Sequence, residues 1–298
     1  MCGIVGLFLK NKNLQGELGA LVSPMLAMMS DRGPDSAGFA VYGAGKGGHL
    51  KFTLRLKDEA ALERLLAALE AALDEPADIV LRGSHAVVSV PAAAEGALRT
   101  LIAALPGDVH LVGTGKRMEI FKDVGRPEAV AELFDLPTMS GTHAIGHTRM
   151  ATESSVTTDG AHPFSTATDQ CLVHNGSLAN HNAVRRMLKR EGLTFETEND
   201  SEVAAGYLTW RLREGFSLRE ALEASLKDLD GFYTFLVGTE TGFAVLRDPI
   251  SCKPAVMAET DDYVAFGSEY RALAGLPGID LARAFEPEPA TVYVWEHA

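Results

Sequence analysis

Met1-Cys-Gly-Ile-Val-Gly-Leu-Phe-Leu9 begins the chain. Ile4, Val5, Leu7, Phe8 and Leu9 make a short apolar run, broken by Gly6, that predicts a strand. Cys2 stands just before it. A cysteine at this position is small enough to permit removal of Met1, after which one residue carries both a thiol and a free α-amine. That amine, with an unperturbed pKa of about 7.7–8.0, is partly neutral at pH 7 and can take the proton from its own thiol. The same cysteine could equally be a small residue packed in the first strand, and position 2 alone does not separate the two. The segment has no basic n-region and no small-residue cleavage site, so neither a signal peptide nor a membrane span is predicted.

Outward from this strand, Leu14 to Met29 has helix character and Ser30 to Gly38 is rich in turn formers. Lys57 to Glu75 predicts an amphipathic helix with no internal Gly or Pro. Strand-like runs at Ile79–Arg82 and Ala86–Val90 precede a helical stretch over Glu95–Leu105. A strand over Thr142–Met150 leads into a Ser/Thr-rich loop, and another, Gln170–His174, ends at Asn175-Gly176. Three helices follow: Asn180–Glu191, one from Asp200 or Ser201 to about Arg213, and one opened by the capping box Ser217-Leu-Arg-Glu220. Strands at Phe232–Val237, Gly242–Leu246, Tyr263–Gly267 and Thr291–Trp295 complete the pattern. Strand groups flanking a helical block predict an α+β fold with two sheets covered by helices on their outer faces. No repeat or linker divides the 298 residues, which are expected to form one domain.

Composition narrows the function. With 46% hydrophobic and 22% charged residues the chain reads as globular, and its net charge of −13 argues against nucleic-acid or anionic-membrane binding. Three widely spaced cysteines (Cys2, Cys171 and Cys252) form no disulfide framework and no CxxC pair, which fits a reducing cytoplasm. Cys171 and Cys252 are expected to be buried small apolar residues. Gly113-Thr-Gly-Lys116 lacks the first glycine and the Ser/Thr of a phosphate loop, and Gly43-Ala-Gly-Lys-Gly-Gly48 lacks its spacing, so both are expected to be flexible turns. His143 and His147 have i,i+4 spacing but lie in a strand-like run, and no metal site is expected there. Asn175-Gly176 by itself is a hairpin-turn signal, and Asp200 by itself an N-cap.

Six motifs in order change these readings: Met1-Cys-Gly-Ile-Val-Gly6, Arg32-Gly-Pro-Asp-Ser-Ala-Gly38, His147-Thr-Arg-Met-Ala-Thr152, Ala161-His-Pro-Phe164, His174-Asn-Gly176 and Asn199-Asp-Ser-Glu202. Asp230-Gly-Phe-Tyr233, Arg247-Asp-Pro249 with Lys253-Pro254, and Gly267-Ser-Glu269 follow. Together they resemble the class II glutamine amidotransferases, over nearly the whole chain and most weakly between about 45 and 140. The resemblance implies a four-layer αββα sandwich of two mainly antiparallel sheets, of the N-terminal-nucleophile hydrolase type, filling residues 1–298 with an expanded region at about 45–140.

The resemblance also implies roles. Cys2 would attack the glutamine side-chain amide once Met1 is removed. Asn175 and Gly176 would form the oxyanion hole, Arg149 would bind the substrate α-carboxylate and Asp200 its α-ammonium, with Thr152 and His162 lining the pocket. Members of the family often carry an aromatic residue after the clamp arginine, where this chain has Met150. Met118-Glu-Ile-Phe-Lys-Asp-Val-Gly125 is similar to segments of separate glutaminase subunits of glutamate synthase-like enzymes, N-methylglutamate synthase among them. That likeness implies synthase partner subunits bearing flavin and iron–sulfur clusters, with no cofactor in this chain and no synthase domain after its last strands. A non-catalytic scaffold subunit and another N-terminal-nucleophile amidohydrolase are the alternatives.

Overall fold

The computed structural model describes residues 2–151 and 155–297. In chain order its elements are β1 (Gly3–Leu9), α1 (Leu18–Ala27), β2 (Ser36–Tyr42), β3 (His49–Leu56), α2 (Glu59–Ala72), β4 (Asp78–Arg82), β5 (His85–Pro91), α3 (Glu95–Ala103), β6 (Val109–Gly115), β7 (Met118–Val124), α4 (Pro127–Leu133) and β8 (His143–Arg149). Then come β9 (Phe164–Ala167), β10 (Gln170–Leu178), α5 (His181–Arg190), α6 (Asp200–Arg213), α7 (Leu218–Asp228), β11 (Gly231–Gly238), β12 (Gly242–Arg247), β13 (Val256–Glu259), β14 (Tyr263–Gly267), β15 (Arg283–Phe285) and β16 (Val292–Glu296).

The predicted first strand lies deep in a seven-stranded sheet of order β15-β13-β14-β1-β8-β2-β7. Every residue of β1 is buried, as an apolar run covered on both faces requires. Its alternate side chains part company. Val5, Leu7 and Leu9 pack against Leu18, Val22 and Leu26 of α1. Ile4 and Phe8 face a five-stranded sheet of order β16-β12-β11-β10-β9, meeting Val173, Leu236 and Phe243. The far side of that second sheet is closed by α5, α6 and α7, with Val203, Tyr207 and Leu222 against Leu172, Phe235 and Leu246. Helix, sheet, sheet, helix is the αββα sandwich, and the strand pairings in both sheets are antiparallel.

A third sheet, beyond the two expected from the sequence, has order β4-β5-β3-β6 and is built from one uninterrupted stretch of chain between β2 and β7. Helices α2 and α3 cover one face, where Leu65, Leu69, Leu98 and Leu101 meet Phe52, Leu54 and Val88. It leans on the β7 edge of the first sheet, where Lys51 pairs with Glu119 at 2.6 Å. The turn from β6 into β7 contains Lys116 and is not a loose loop. The Asp169 carboxylate accepts the backbone N–H groups of Lys116, Arg117 and Met118 at 2.7–3.0 Å.

Candidate active site

Cys2 is partly exposed at the head of β1. The register pairs Gly3 with Thr148 and Val5 with Gly267, so the end of β8 and the Gly267-Ser-Glu269 segment lie on either side of it. Its Sγ is 3.9 Å from the Met150 carbonyl oxygen. The Cys2 carbonyl accepts hydrogen bonds from Arg32 Nε at 3.0 Å and Asn175 Nδ2 at 3.2 Å. Arg32 is itself held by Glu269 at 2.6 Å, and this bond, against the opposing effect of burial, lowers the Glu269 pKa. Ser268 Oγ accepts the Ile4 N–H at 2.9 Å and stands 3.2 Å from Asn175 Nδ2. Arg32, Ser268 and Glu269 thus anchor the backbone around the thiol, roles that the turn-rich and Gly-Ser-Glu motifs do not spell out.

Asn175 and Gly176 are not a hairpin turn, and the strand does not stop before them. They lie within β10, opposite Thr234 and Tyr233 of β11. The Asn175 side chain is oriented by His147, whose Nε2 lies 3.2 Å from Asn175 Oδ1 and 3.1 Å from the His174 carbonyl. Both facing atoms are acceptors, so Nε2 carries the proton. Burial pushes the His147 pKa down to about 3, which keeps the ring neutral. With Oδ1 committed to His147, the amide NH2 must turn toward Cys2 and Ser268. Gly176 has φ +146°, and a Cβ there would sit 2.0 Å from the Phe232 carbonyl oxygen, so only glycine fits this strand position.

Asp200 is the first residue of α6, and the cap is Asn199, whose side chain accepts the Ser201 N–H at 2.9 Å. Asp200 therefore does not serve as the N-cap. Its Oδ2 accepts the Leu178 N–H at 2.9 Å, which ties it to the end of β10. Its side chain keeps 22% of its surface exposed, and it stands at the positive end of the helix. Ser201 next to it bonds His174 Nδ1 at 2.9 Å and His162 Nε2 at 2.7 Å. His162 is buried with its ring 4.0 Å from that of His147, so it lies behind Asn175 among other rings. Burial holds His162 and His174 below the usual histidine range.

Arg149 ends β8, two residues past the partner of Ile4, and is 8% exposed. Its Nη1 lies 3.4 Å from the Ser155 carbonyl. Met150 beside it is half-exposed. Thr152 lies outside the described residues. The structure thus joins Cys2 to Asn175 directly, sets Arg149 beside Cys2 by register, and links Asp200 and His162 through Ser201. Other motif residues serve the framework: Glu202 accepts the Glu196 and Thr197 N–H groups, and Arg247 and Asp248 fold the loop carrying Cys252. Cys252 is exposed, contrary to expectation, because that loop lies at the surface; Cys171 is buried against the Tyr42 hydroxyl. His143 stacks on Tyr42. Among the described residues no group of three or more His, Cys, Asp or Glu side chains could hold a metal ion, and no helix is long and apolar enough to cross a membrane.

A cavity of about 590 Å³ opens between β6 on one side and β9 with the α5–α6 connection on the other, and it includes none of Cys2, Arg149, Asn175 or Asp200. Chemistry rather than cavity size therefore points to the candidate site, where the Cys2 residue and the oriented Asn175 amide meet.

The αββα sandwich, with Cys2 at the head of its first strand, is the fold of the N-terminal-nucleophile-type glutamine amidotransferases. The chain belongs to the class II glutamine amidotransferases. A family described as glutamine amidotransferase domain matches residues 147–275. The glutamine amidotransferase-like protein GlxB of Rhizobium meliloti is 59% identical, covering 100% of this chain and 99% of its own length. An amidophosphoribosyltransferase of Archaeoglobus fulgidus is 32% identical over 60% of this chain and 38% of its own. A solved structure of the allosteric regulatory enzyme of purine biosynthesis shares the fold with a TM-score of 0.65 and 21% identity, over 99% of this chain and 47% of that one.

Proposed function

We propose that the chain hydrolyses the side-chain amide of glutamine through Cys2 and delivers the ammonia to a synthase partner. One observation supports the reading: the Asn175 amide, its orientation dictated by His147, donates to the backbone carbonyl of Cys2 at 3.2 Å and so stands beside the residue that carries the thiol. Once Met1 is removed, the α-amine takes the Cys2 thiol proton and Sγ bonds to the amide carbon. The carbonyl oxygen becomes an oxyanion facing Asn175 Nδ2 and the Gly176 N–H. Collapse of that intermediate breaks the C–N bond, and the proton held by the α-amine leaves with nitrogen as ammonia. Water then cleaves the thioester and releases glutamate. Arg149 pairs the substrate α-carboxylate through two parallel hydrogen bonds, and Asp200 pairs the α-ammonium.

Ammonia at pH 7 is almost all ammonium and not nucleophilic, so a productive enzyme delivers it along a closed route to a second active site. The likeness of the β7 segment to separate glutaminase subunits supports a glutamate synthase-like partner, such as that of N-methylglutamate synthase. In that reading flavin and iron–sulfur clusters belong to the partner subunits, and the complex works in a reducing cytoplasm where Cys2 stays a thiol.

The test is glutamate release from glutamine by the purified chain, with and without its partner subunits, beside Cys2→Ala and with the mature amino terminus identified by mass spectrometry. Activity that requires both Cys2 and a free amine is expected. Full activity of Cys2→Ala would refute the mechanism, and an active monomer that never co-purifies with a flavin-bearing subunit would refute the partner.

A further inference from the structure

We infer that β7 and the third sheet tune glutamine recognition by pinning the segment 155–163, which makes Lys122 and Arg55 positioning residues for the Arg149 clamp. The inference rests on the reading of Arg149 as the group that binds the substrate α-carboxylate.

Lys122 of β7 is 6% exposed and has no carboxylate in salt-bridge contact among the described residues. Its ammonium instead faces three backbone carbonyls of one segment: Ala161 at 2.9 Å, Asp159 at 3.3 Å and Pro163 at 3.4 Å. Three donors meet three acceptors, the full capacity of an ammonium. The Phe164 ring lies 4.8 Å from the same nitrogen and adds a cation–π contact. A buried cation is costly, and burial lowers this one to about 8 against the raising influence of Asp159, Glu202 and Glu196. Such a lysine is poor as a packing residue and well suited as a clamp on a peptide segment that lacks secondary structure.

Two more bonds reach the segment from the same side. Arg55 of β3, in the third sheet, holds the Asp159 carboxylate at 2.7 Å, and Thr158 donates to Asp123 of β7 at 2.8 Å. From its inner side the segment touches the substrate machinery. Arg149 Nη1 is 3.4 Å from the Ser155 carbonyl and 3.2 Å from where a Gly160 Cβ would stand. His162 in the same segment bonds Ser201, the neighbour of Asp200. Pinned outside by Lys122, Arg55 and Asp123, the segment sets the guanidinium and the ring inside. Lys122 and Asp159 also border the 590 Å³ cavity, so losing the pin leaves carbonyls that water can reach rather than a hole in an apolar core.

The test compares Lys122→Met and Arg55→Gln with the parent chain, using glutamine and 4-aminobutanamide, an analogue lacking the α-carboxylate. Alkylation of Cys2 by iodoacetamide is followed in parallel. KM for glutamine should rise about 10- to 100-fold, the usual consequence of an ångström-scale misplacement. KM for 4-aminobutanamide and the alkylation rate should hold, since neither uses Arg149. An unchanged KM for glutamine, or equal losses on both amides, overturns the inference. Should Lys122→Met not fold, Arg55→Gln removes a partly exposed pair and decides between the same two outcomes. These outcomes are separate from those of Cys2→Ala, whose retained activity would defeat the mechanism while leaving the comparison of KM on the two amides to judge the pin.

Discussion

Replacing Asn175 by alanine separates a role in transition-state stabilisation from a role in holding the fold. The side chain is 4% exposed and makes hydrogen bonds to Cys2 O, Ser268 Oγ and His147. Each partner keeps another: Cys2 O retains Arg32 Nε, Ser268 Oγ retains the Ile4 N–H, and His147 Nε2 retains the His174 carbonyl. No buried group is orphaned, so the stability loss should be about 1 kcal/mol for each net hydrogen bond removed, about 2–3 kcal/mol in all. Catalysis should suffer more. One oxyanion donor contributes about 3–4 kcal/mol to the transition state, so kcat should fall about 100- to 1,000-fold. Steady-state glutaminase kinetics should show that fall in kcat with KM little altered, because the carbonyl oxygen needs the donor most when it carries charge. Urea unfolding would establish that the variant is folded. A folded Asn175→Ala with undiminished kcat, or with its loss confined to KM, would refute the assignment and the orienting role of His147 with it.

Asp200→Asn should raise KM for glutamine and abolish its advantage over glutaramate, which lacks the α-ammonium; competition assays with the two amides check this, and a preserved preference refutes the pairing. Gly176→Ala must relieve a contact of 2.0 Å at φ +146°, so it should destabilise the chain by about 2 kcal/mol or more and lower Tm, a cost that calorimetry reads directly. Stability should also fall with acid. His85, His143 and His147 each have a pKa lowered to about 3 from 6.5, chiefly by burial. Groups lowered in the folded state give stability that is complete above their unfolded pKa and lost as pH falls through the window from about 6.5 toward 3, each at up to about 1.4 kcal/mol per pH unit. Urea midpoints should hold from pH 7.5 to about 6.5 and decline from there to pH 4.5, and a flat profile over the whole range would contradict neutral burial of the three rings.

The sandwich is legible because its strands are apolar runs bounded by turn residues, and because Ser217-Leu-Arg-Glu220 writes a helix start into four letters that fold as a capping box. The site is legible only as a set of motifs. Nothing local in Asn175-Gly176 distinguishes a hairpin turn from a mid-strand pair, since what decides is β11 lying alongside, more than fifty residues later. The partners of Cys2 are also distant in the chain: Arg32 is 30 residues away, Asn175 is 173, and Ser268, reached through Asn175, is a further 93 on. The third sheet escapes a sequence reading for a different reason. Its strands and helices follow ordinary periodicities, and a propensity pattern says which residues form strands without saying which sheet they join. His147 reads as half of an unconvincing metal pair because its meaning lies in a neighbour 28 positions away.

That division explains why the two halves of the chemistry sit where they do. In the proposed mechanism the first sheet carries the nucleophile, with β1 between β8 and β14 and the Cys2 carbonyl tied to Arg32. The proposed oxyanion donors lie on the second sheet, in β10. On that reading the distance from thiol to oxyanion hole depends on how closely the sheets pack. Gly6, in the opening motif, is where they approach: a Cβ there would lie 2.6 Å from Leu236 Cδ2 of β11. A larger residue at position 6 would have to displace the Leu236 side chain, which packs with Ile4 and Phe8 between the two sheets. A glycine that looks like an interruption of an apolar run thus leaves room for a side chain of the facing sheet in a closely packed interior.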